Sequence, residues 1–172
     1  AIITCHQPAD LVPALAKIEA ALQAGFYLAG FFSYELGYLL EKKCQNMYQE
    51  NTFPLLWFGV YRSPIHKCLV SEQSYYFTPP QLTLSGSAYR QKIRAIKRFI
   101  AKGDTYQINF TDKLHFDFWG APEKLYTKLR QYQPVDYSVA GRFGDDYFLS
   151  LSPELFFKKD GDQITVKPMK GT

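Results

Sequence analysis

Apolar residues recur every three to four positions from Asp10 to Ala24, at Leu11, Leu15, Ile18 and Leu22, and Gly25 stands where a left-handed C-cap would end a helix. An amphipathic helix is predicted there. The pattern then changes: Phe26 to Tyr34 is aromatic and almost continuously apolar, as expected of a strand covered on both faces. Leu55 to Tyr61 reads the same way, after a polar segment from Lys42 to Thr52. Shorter strands are expected near 67–70, 75–78 and 81–84, with Pro79-Pro80 among the turn residues between them. A second long helix is predicted from about Ser87 to Lys102, because Tyr89, Ile93, Ile96 and Phe99/Ile100 share one face, Ser87 can cap the start and Gly103 ends it. A strand carrying Tyr106-Gln-Ile-Asn-Phe110 should follow, then a short helix from Ala121 to Tyr132 closed by Pro134. The rest alternates as hairpins, with strands near 137–143, 147–151 and 155–158, and Asp160-Gly161 turning into a last strand from Gln163 to Lys167.

Strands dominate, helices intervene irregularly, and neither an internal repeat nor a linker is visible. The pattern predicts an α+β fold of largely antiparallel sheets with packed helices, in a single domain over residues 1–172. With 47% hydrophobic and 17% aromatic residues the chain can bury a sizeable core, which excludes wholesale disorder. The formal charge of +4 is mild and requires neither a nucleic-acid nor a membrane partner. The basic face Arg90, Arg94, Lys97 and Arg98 on the second helix reads as a solvated face.

No run approaches the roughly 20 apolar residues of a membrane span. Ile2 to His6 has no basic region ahead of a long apolar stretch, as a secretory signal would have. Cys5, Cys44 and Cys68 are odd in number and far apart, which suits neither a disulfide framework nor a zinc site; a reducing, cytoplasmic setting is expected. His6, His66 and His115 lack metal spacing, and phosphate-cradling glycine loops, His-Glu-x-x-His and Gly-x-Ser-x-Gly are all missing from the sequence. The chain stops at Lys170-Gly171-Thr172 straight after a strand-like run, so a cut through a larger domain is expected.

The chemistry is expected in Ser150-Leu-Ser-Pro-Glu-Leu-Phe156, where a carboxylate follows a turn proline, and in Pro168-Met-Lys-Gly-Thr172, sixteen residues on from Glu154 to Lys170. If the intervening strands pair through Asp160-Gly161, Glu154 and Lys170 lie at one end of a hairpin. A carboxylate and an amine in one pocket can tune each other for acid–base or nucleophilic work. On spacing alone a solvated cross-strand ion pair is the commoner outcome.

Tyr89 to Thr111, which ends Lys-Gly-Asp-Thr-Tyr-Gln-Ile-Asn-Phe-Thr, resembles the helix and Gly-Asp-x-Tyr-Gln-x-Asn strand of the chorismate-utilising enzymes. Ser152-Pro153-Glu154 and Pro168-Met169-Lys170-Gly171-Thr172 resemble the same family in order and spacing; Gly30 to Gly37 and Trp57 to Tyr61 resemble its N-terminal strands more loosely. The resemblance implies the chorismate-binding, anthranilate synthase component I-like fold. It also implies catalysis by Lys170 and Glu154, with Gly171 and Thr172 touching substrate. Lys rather than Ala before the Gly-Thr pair points to the branch that forms 4-amino-4-deoxychorismate, using ammonia from a glutamine amidotransferase partner or from solution. Gln107 and Asn109 would sit in the core of the catalytic sheet with a hydrogen-bonding role, and Tyr34 and Trp57 in the hydrophobic core.

Family members continue past Lys-Gly-Thr into a half that carries the Mg²⁺ glutamates, so the resemblance implies Mg²⁺ for the complete enzyme with no metal ligand in these 172 residues. The tryptophan-pocket motif Pro-x-Pro-Tyr is here Pro134-Val-Asp136-Tyr137. Two alternatives stand beside this reading: anthranilate formation with loss of pyruvate, and a non-catalytic remnant that acts only with a partner chain. Strands left without neighbours would favour self-association through exposed edges.

Overall fold

The computed structural model describes residues 1–50, 52–66 and 73–168. Strands and helices mix as expected of an α+β fold, and every strand pairing among the described residues is antiparallel. The chain forms two compact units, residues 1–69 with 135–172, and residues 70–134.

The first unit begins with β1 (Ile2–Cys5), α1 (Leu11–Gln23), β2 (Tyr27–Phe32), α2 (Leu36–Leu40) and β3 (Leu56–Tyr61). Helix α1 ends as its sequence predicts. Gly25 adopts φ 80°, and its N–H and that of Phe26 donate back to the Leu22 and Ala21 carbonyls at 3.0 Å. Strand β3 is central, with β1 and β2 at the edges. Its register places Leu56 between Cys5 and Phe32, and Trp57 between Thr4 and Phe31.

Because side chains alternate across a strand, this register sorts the sheet into two faces. One face packs Cys5 and Leu56 with Leu11, Ala14, Leu36 and Leu55 into the buried core, lined by Ile3, Ile18 and Phe58. The other is aromatic: Phe31 lies 5.0 Å from Phe143, 5.6 Å from Phe148 and 5.3 Å from Phe53, and Trp57 lies 6.2 Å from Phe143, ring centre to ring centre. Cover on both faces is not met along β2, where Tyr27 and Phe32 are exposed. An edge strand lacks a neighbour to shield its outer side chains.

The second unit holds β4 (Tyr75–Phe77), β5 (Gln81–Leu82), α3 (Gly86–Lys102), β6 (Leu114–His115), β7 (Phe118–Gly120) and α4 (Pro122–Tyr132). The strand expected at 67–70 lies outside the described residues. Helix α3 starts one turn-residue earlier than predicted. Ser85, extended at φ −64° and ψ 153°, is the N-cap, its hydroxyl accepting from the Ala88 N–H at 3.2 Å, while Ser87 lies inside the helix. Gly103 closes α3 at φ 80°.

The strand predicted over Tyr106–Phe110 does not form. Its polar groups bond locally: the Thr105 hydroxyl accepts from the Gln107 N–H, and the Gln107 side-chain amide donates to Asn109 Oδ1 at 3.3 Å. Pairing passes instead to the next residues, with β4 on β7 and β5 on β6. Cross-strand Tyr76 and Trp119 stack at 5.6 Å.

The chain then returns to the first unit with β8 (Tyr137–Phe143), β9 (Asp146–Ser152), β10 (Lys158–Asp160) and β11 (Gln163–Thr165). Both hairpins have two-residue loops, Gly144-Asp145 and Gly161-Asp162, with positive φ at the glycine alone. That fits a type II′ turn, whose twist matches the flanking strands. Gly141 on β8 has no Cβ, which lets the Phe148 ring of β9 lie across it and reach Phe31.

Candidate active site

Glu154 follows β9, in the bend after Ser152 and Pro153. The bend is held by one hydroxyl: Ser152 Oγ donates to the Glu154 carbonyl at 3.0 Å and accepts the Glu154 N–H at 3.2 Å. Pro153 brings no backbone N–H into the turn. The Ser-Pro-Glu triplet therefore fixes the backbone from which the carboxylate projects, with Glu154 exposed and Leu155 half-buried. Sequence reasoning missed this positioning role of Ser152. A serine two residues before a turn residue is the signal that would have found it.

The hairpin expected to unite the two motifs is present over three residue pairs. Lys158 faces Thr165, Lys159 faces Ile164 and Asp160 faces Gln163. The ladder begins at Lys158, so 155–157 is not part of the strand. Its closed end is Gly161-Asp162, and the segment carrying Glu154 and the one running to Pro168 both leave from its open end. Lys170, Gly171 and Thr172, the other expected site residues, lie outside the described residues, as do Met169 and Cys68. Both strands of the hairpin are exposed along their length, and Lys158 pairs with Asp160 at 3.8 Å.

Gln107 and Asn109 are exposed and lie outside any strand, which corrects their expected place in the core of a sheet. Tyr34 is also no core residue: it is 81% exposed and packs edge-on against Tyr38. Trp57 does pack inward, against Phe143. His6 pairs with the Thr4 hydroxyl and His115 with that of Thr83, each a local surface contact. Among the described residues no three His, Cys, Asp or Glu side chains converge as a metal ligand set, so these residues do not fit the Mg²⁺ that the resemblance implies, and no step is assigned to the metal. No described helix is long and apolar enough to cross a membrane.

These features, a Ser-Pro-Glu turn and a hairpin leading toward Pro-Met-Lys-Gly-Thr, define a class. The sequence model for chorismate binding enzymes matches residues 68–172, more than half of the chain, and the chain belongs to that family. Among individual relatives, aminodeoxychorismate synthase component 1 of Escherichia coli strain K12 is 24% identical over 169 residues, covering 83% of this chain and 37% of that protein. The Salmonella typhimurium protein of the same name is 27% identical over 113 residues, covering 62% of this chain and 25% of its own length. Anthranilate synthase component 1 of Pseudomonas putida is 33% identical over 84 residues, 49% of this chain and 17% of that protein. The chain thus spans well under half the length of these relatives. No solved structure matches it.

Proposed function

We propose that this chain carries the N-terminal portion of an aminating chorismate enzyme that makes 4-amino-4-deoxychorismate for 4-aminobenzoate and folate synthesis. The observation that carries the reading is Lys170 within Pro168-Met-Lys-Gly-Thr172, in sequence with a structured Ser152-Pro153-Glu154 turn. The hairpin supports it, because the bend carrying Glu154 precedes β10 and residues 166–168 follow β11, both at the open end of the ladder.

The Lys170 amine, unprotonated, attacks C2 of chorismate; both ring double bonds shift, from C1=C2 and C5=C6 to C1=C6 and C4=C5, and the C4 hydroxyl leaves as water with a proton from Glu154. Ammonia then adds at C4, both double bonds shift back, and the C2–N bond to Lys170 breaks, its electron pair returning to the lysine nitrogen. Glu154, now a carboxylate, takes the proton lost by the incoming ammonia. Gly171 offers a backbone N–H and Thr172 a hydroxyl to the ring substituents. Chorismate is the substrate, and a glutamine amidotransferase subunit or free ammonium supplies the nitrogen. The complete enzyme would take Mg²⁺ through ligands that are not among these 172 residues.

A second reading, anthranilate synthase component I, is favoured by the 33% identity to the Pseudomonas putida protein. Lys170 opposes it, because amination at C2 needs an open C2 rather than one held by lysine. The test is the natural gene product with chorismate, Mg²⁺ and ammonium, alone and as Lys170→Ala. Aminodeoxychorismate detected by mass, lost in the variant, is expected. Anthranilate fluorescence, or undiminished turnover without Lys170, overturns the proposal.

A further inference from the structure

Two hairpins of unequal firmness flank Glu154. β8 and β9 pair over seven rungs and pack on the first sheet through Phe143 and Phe148, 5.0 and 5.6 Å from Phe31. β10 and β11 pair over three rungs, and all six of those residues are exposed. The long ladder ends at Tyr137–Ser152 and the short one begins at Lys158–Thr165, so residues 153–157 form a bridge that belongs to neither. Glu154 lies in that bridge, and no rung of either ladder fixes it.

The Ser152 hydroxyl supplies what the rungs do not. It donates to the Glu154 carbonyl at 3.0 Å and accepts the Glu154 N–H at 3.2 Å, which ties both polar groups of the Glu154 backbone to a side chain on the last rung of the long ladder. The two bonds need a donor and an acceptor in one short group, which a hydroxyl is. Pro153 limits its own φ but brings no N–H to the bend. Without the hydroxyl, rotation about ψ of Pro153 and φ of Glu154 is less restrained, and the carboxylate moves with it.

We infer that Ser152 is a positioning residue: its hydroxyl couples Glu154 to the firm β8–β9 ladder and so holds the carboxylate in place for proton transfer, independently of the exposed hairpin that follows. The inference rests on the reading of Glu154 as acid and base given above. A reacting group displaced by about 1 Å can lose about 10²-fold in rate. Because the displaced group is a proton carrier, the loss falls on kcat and leaves the KM for chorismate in place.

The experiment measures kcat and KM of the natural gene product with chorismate, Mg²⁺ and saturating ammonium, as Ser152→Ala, Ser152→Thr, Glu154→Gln and the double variant Ser152→Ala/Glu154→Gln. Ser152→Ala is expected to lower kcat at least tenfold with KM changed less than twofold, and Ser152→Thr, which keeps the hydroxyl, to stay within threefold of the parent. In the Glu154→Gln background the same alanine should change kcat less than twofold, since no carboxylate is left to hold. Circular dichroism checks folding, and Ser152→Cys, of similar size with a weak S–H donor, takes the place of the alanine variant if that one is disturbed. An equal loss in both backgrounds, a rise in KM at constant kcat, or a threonine variant as poor as alanine overturns the inference. Full activity in Ser152→Ala beside an impaired Glu154→Gln overturns it alone, whereas full activity in Glu154→Gln overturns the role of Glu154 and the inference with it.

Discussion

Leu56 tests the account of the first unit most directly. It is 0% exposed on the central strand β3, set between Cys5 and Phe32 and packed in one cluster with Leu11, Ala14, Leu36 and Leu55. Replacing it by alanine removes three buried carbons, which at about 0.8 kcal/mol each loses about 2.4 kcal/mol of transfer free energy. The cavity is closed by α1 and by both edge strands, so it collapses only partly and adds about 1 kcal/mol, for a cost of about 3–4 kcal/mol. The assay is urea unfolding followed by tryptophan fluorescence. In a Trp119→Phe background the remaining Trp57, next to the substituted residue on β3, reports the first unit alone. With a slope of about 1–2 kcal/mol per molar urea, the midpoint should fall by about 1.5–4 M. Ile164→Ala on β11, where the side chain is 66% exposed, should cost less than about 0.5 kcal/mol. A Leu56→Ala cost below about 1 kcal/mol, or one equal to that of Ile164→Ala, would refute the assignment of the core.

Gly141→Ala puts a Cβ against the Phe148 ring and should push it off Phe31, costing about 1–3 kcal/mol and changing Trp57 emission; an unchanged midpoint would contradict the packing. Burial, with Asp10 adding to it, pushes the Cys5 thiol above its ordinary 9.0, partly offset by a backbone hydrogen bond from Gln7. The unfolded chain then gives up its proton first as pH rises, so this group's contribution to stability is intact below pH 9.0 and is lost on going above it; alkylation at pH 8 should mark Cys44 before Cys5, and the reverse order would count against burial. The accessible surface is 14165 Å², against about 8,600 Å² for one folded body of this mass or about 10,300 Å² for two. Concentration-dependent self-association is expected by light scattering, and a monodisperse 19.8 kDa monomer at 100 µM would rule it out.

Much of the local structure was legible because its signals are local. Gly25 and Gly103 end α1 and α3 through positive φ, Pro134 limits α4, and Gly161 turns the last hairpin, each a matter of one residue's backbone freedom. The family was legible for a similar reason: Ser152-Pro153-Glu154 and Pro168 to Thr172 are short motifs whose order survives without knowledge of their neighbours.

What tertiary structure decided are the pairings. Ile2–Cys5 is too short to declare itself, and becomes β1 only because the backbone of β3, more than fifty residues on, offers it an edge. Tyr106–Phe110 has the composition of a strand and stays out of one: the Gln107 N–H bonds to Thr105 and its side-chain amide to Asn109, while β4 pairs with β7. Phe32 and Tyr34 read as core and lie exposed, whereas Phe31, one residue away from the first of them, sits among Phe53, Phe143 and Phe148. Composition specifies how much apolar surface a chain has to hide. Which side of a strand hides it depends on register, and register is fixed by partners distant in sequence.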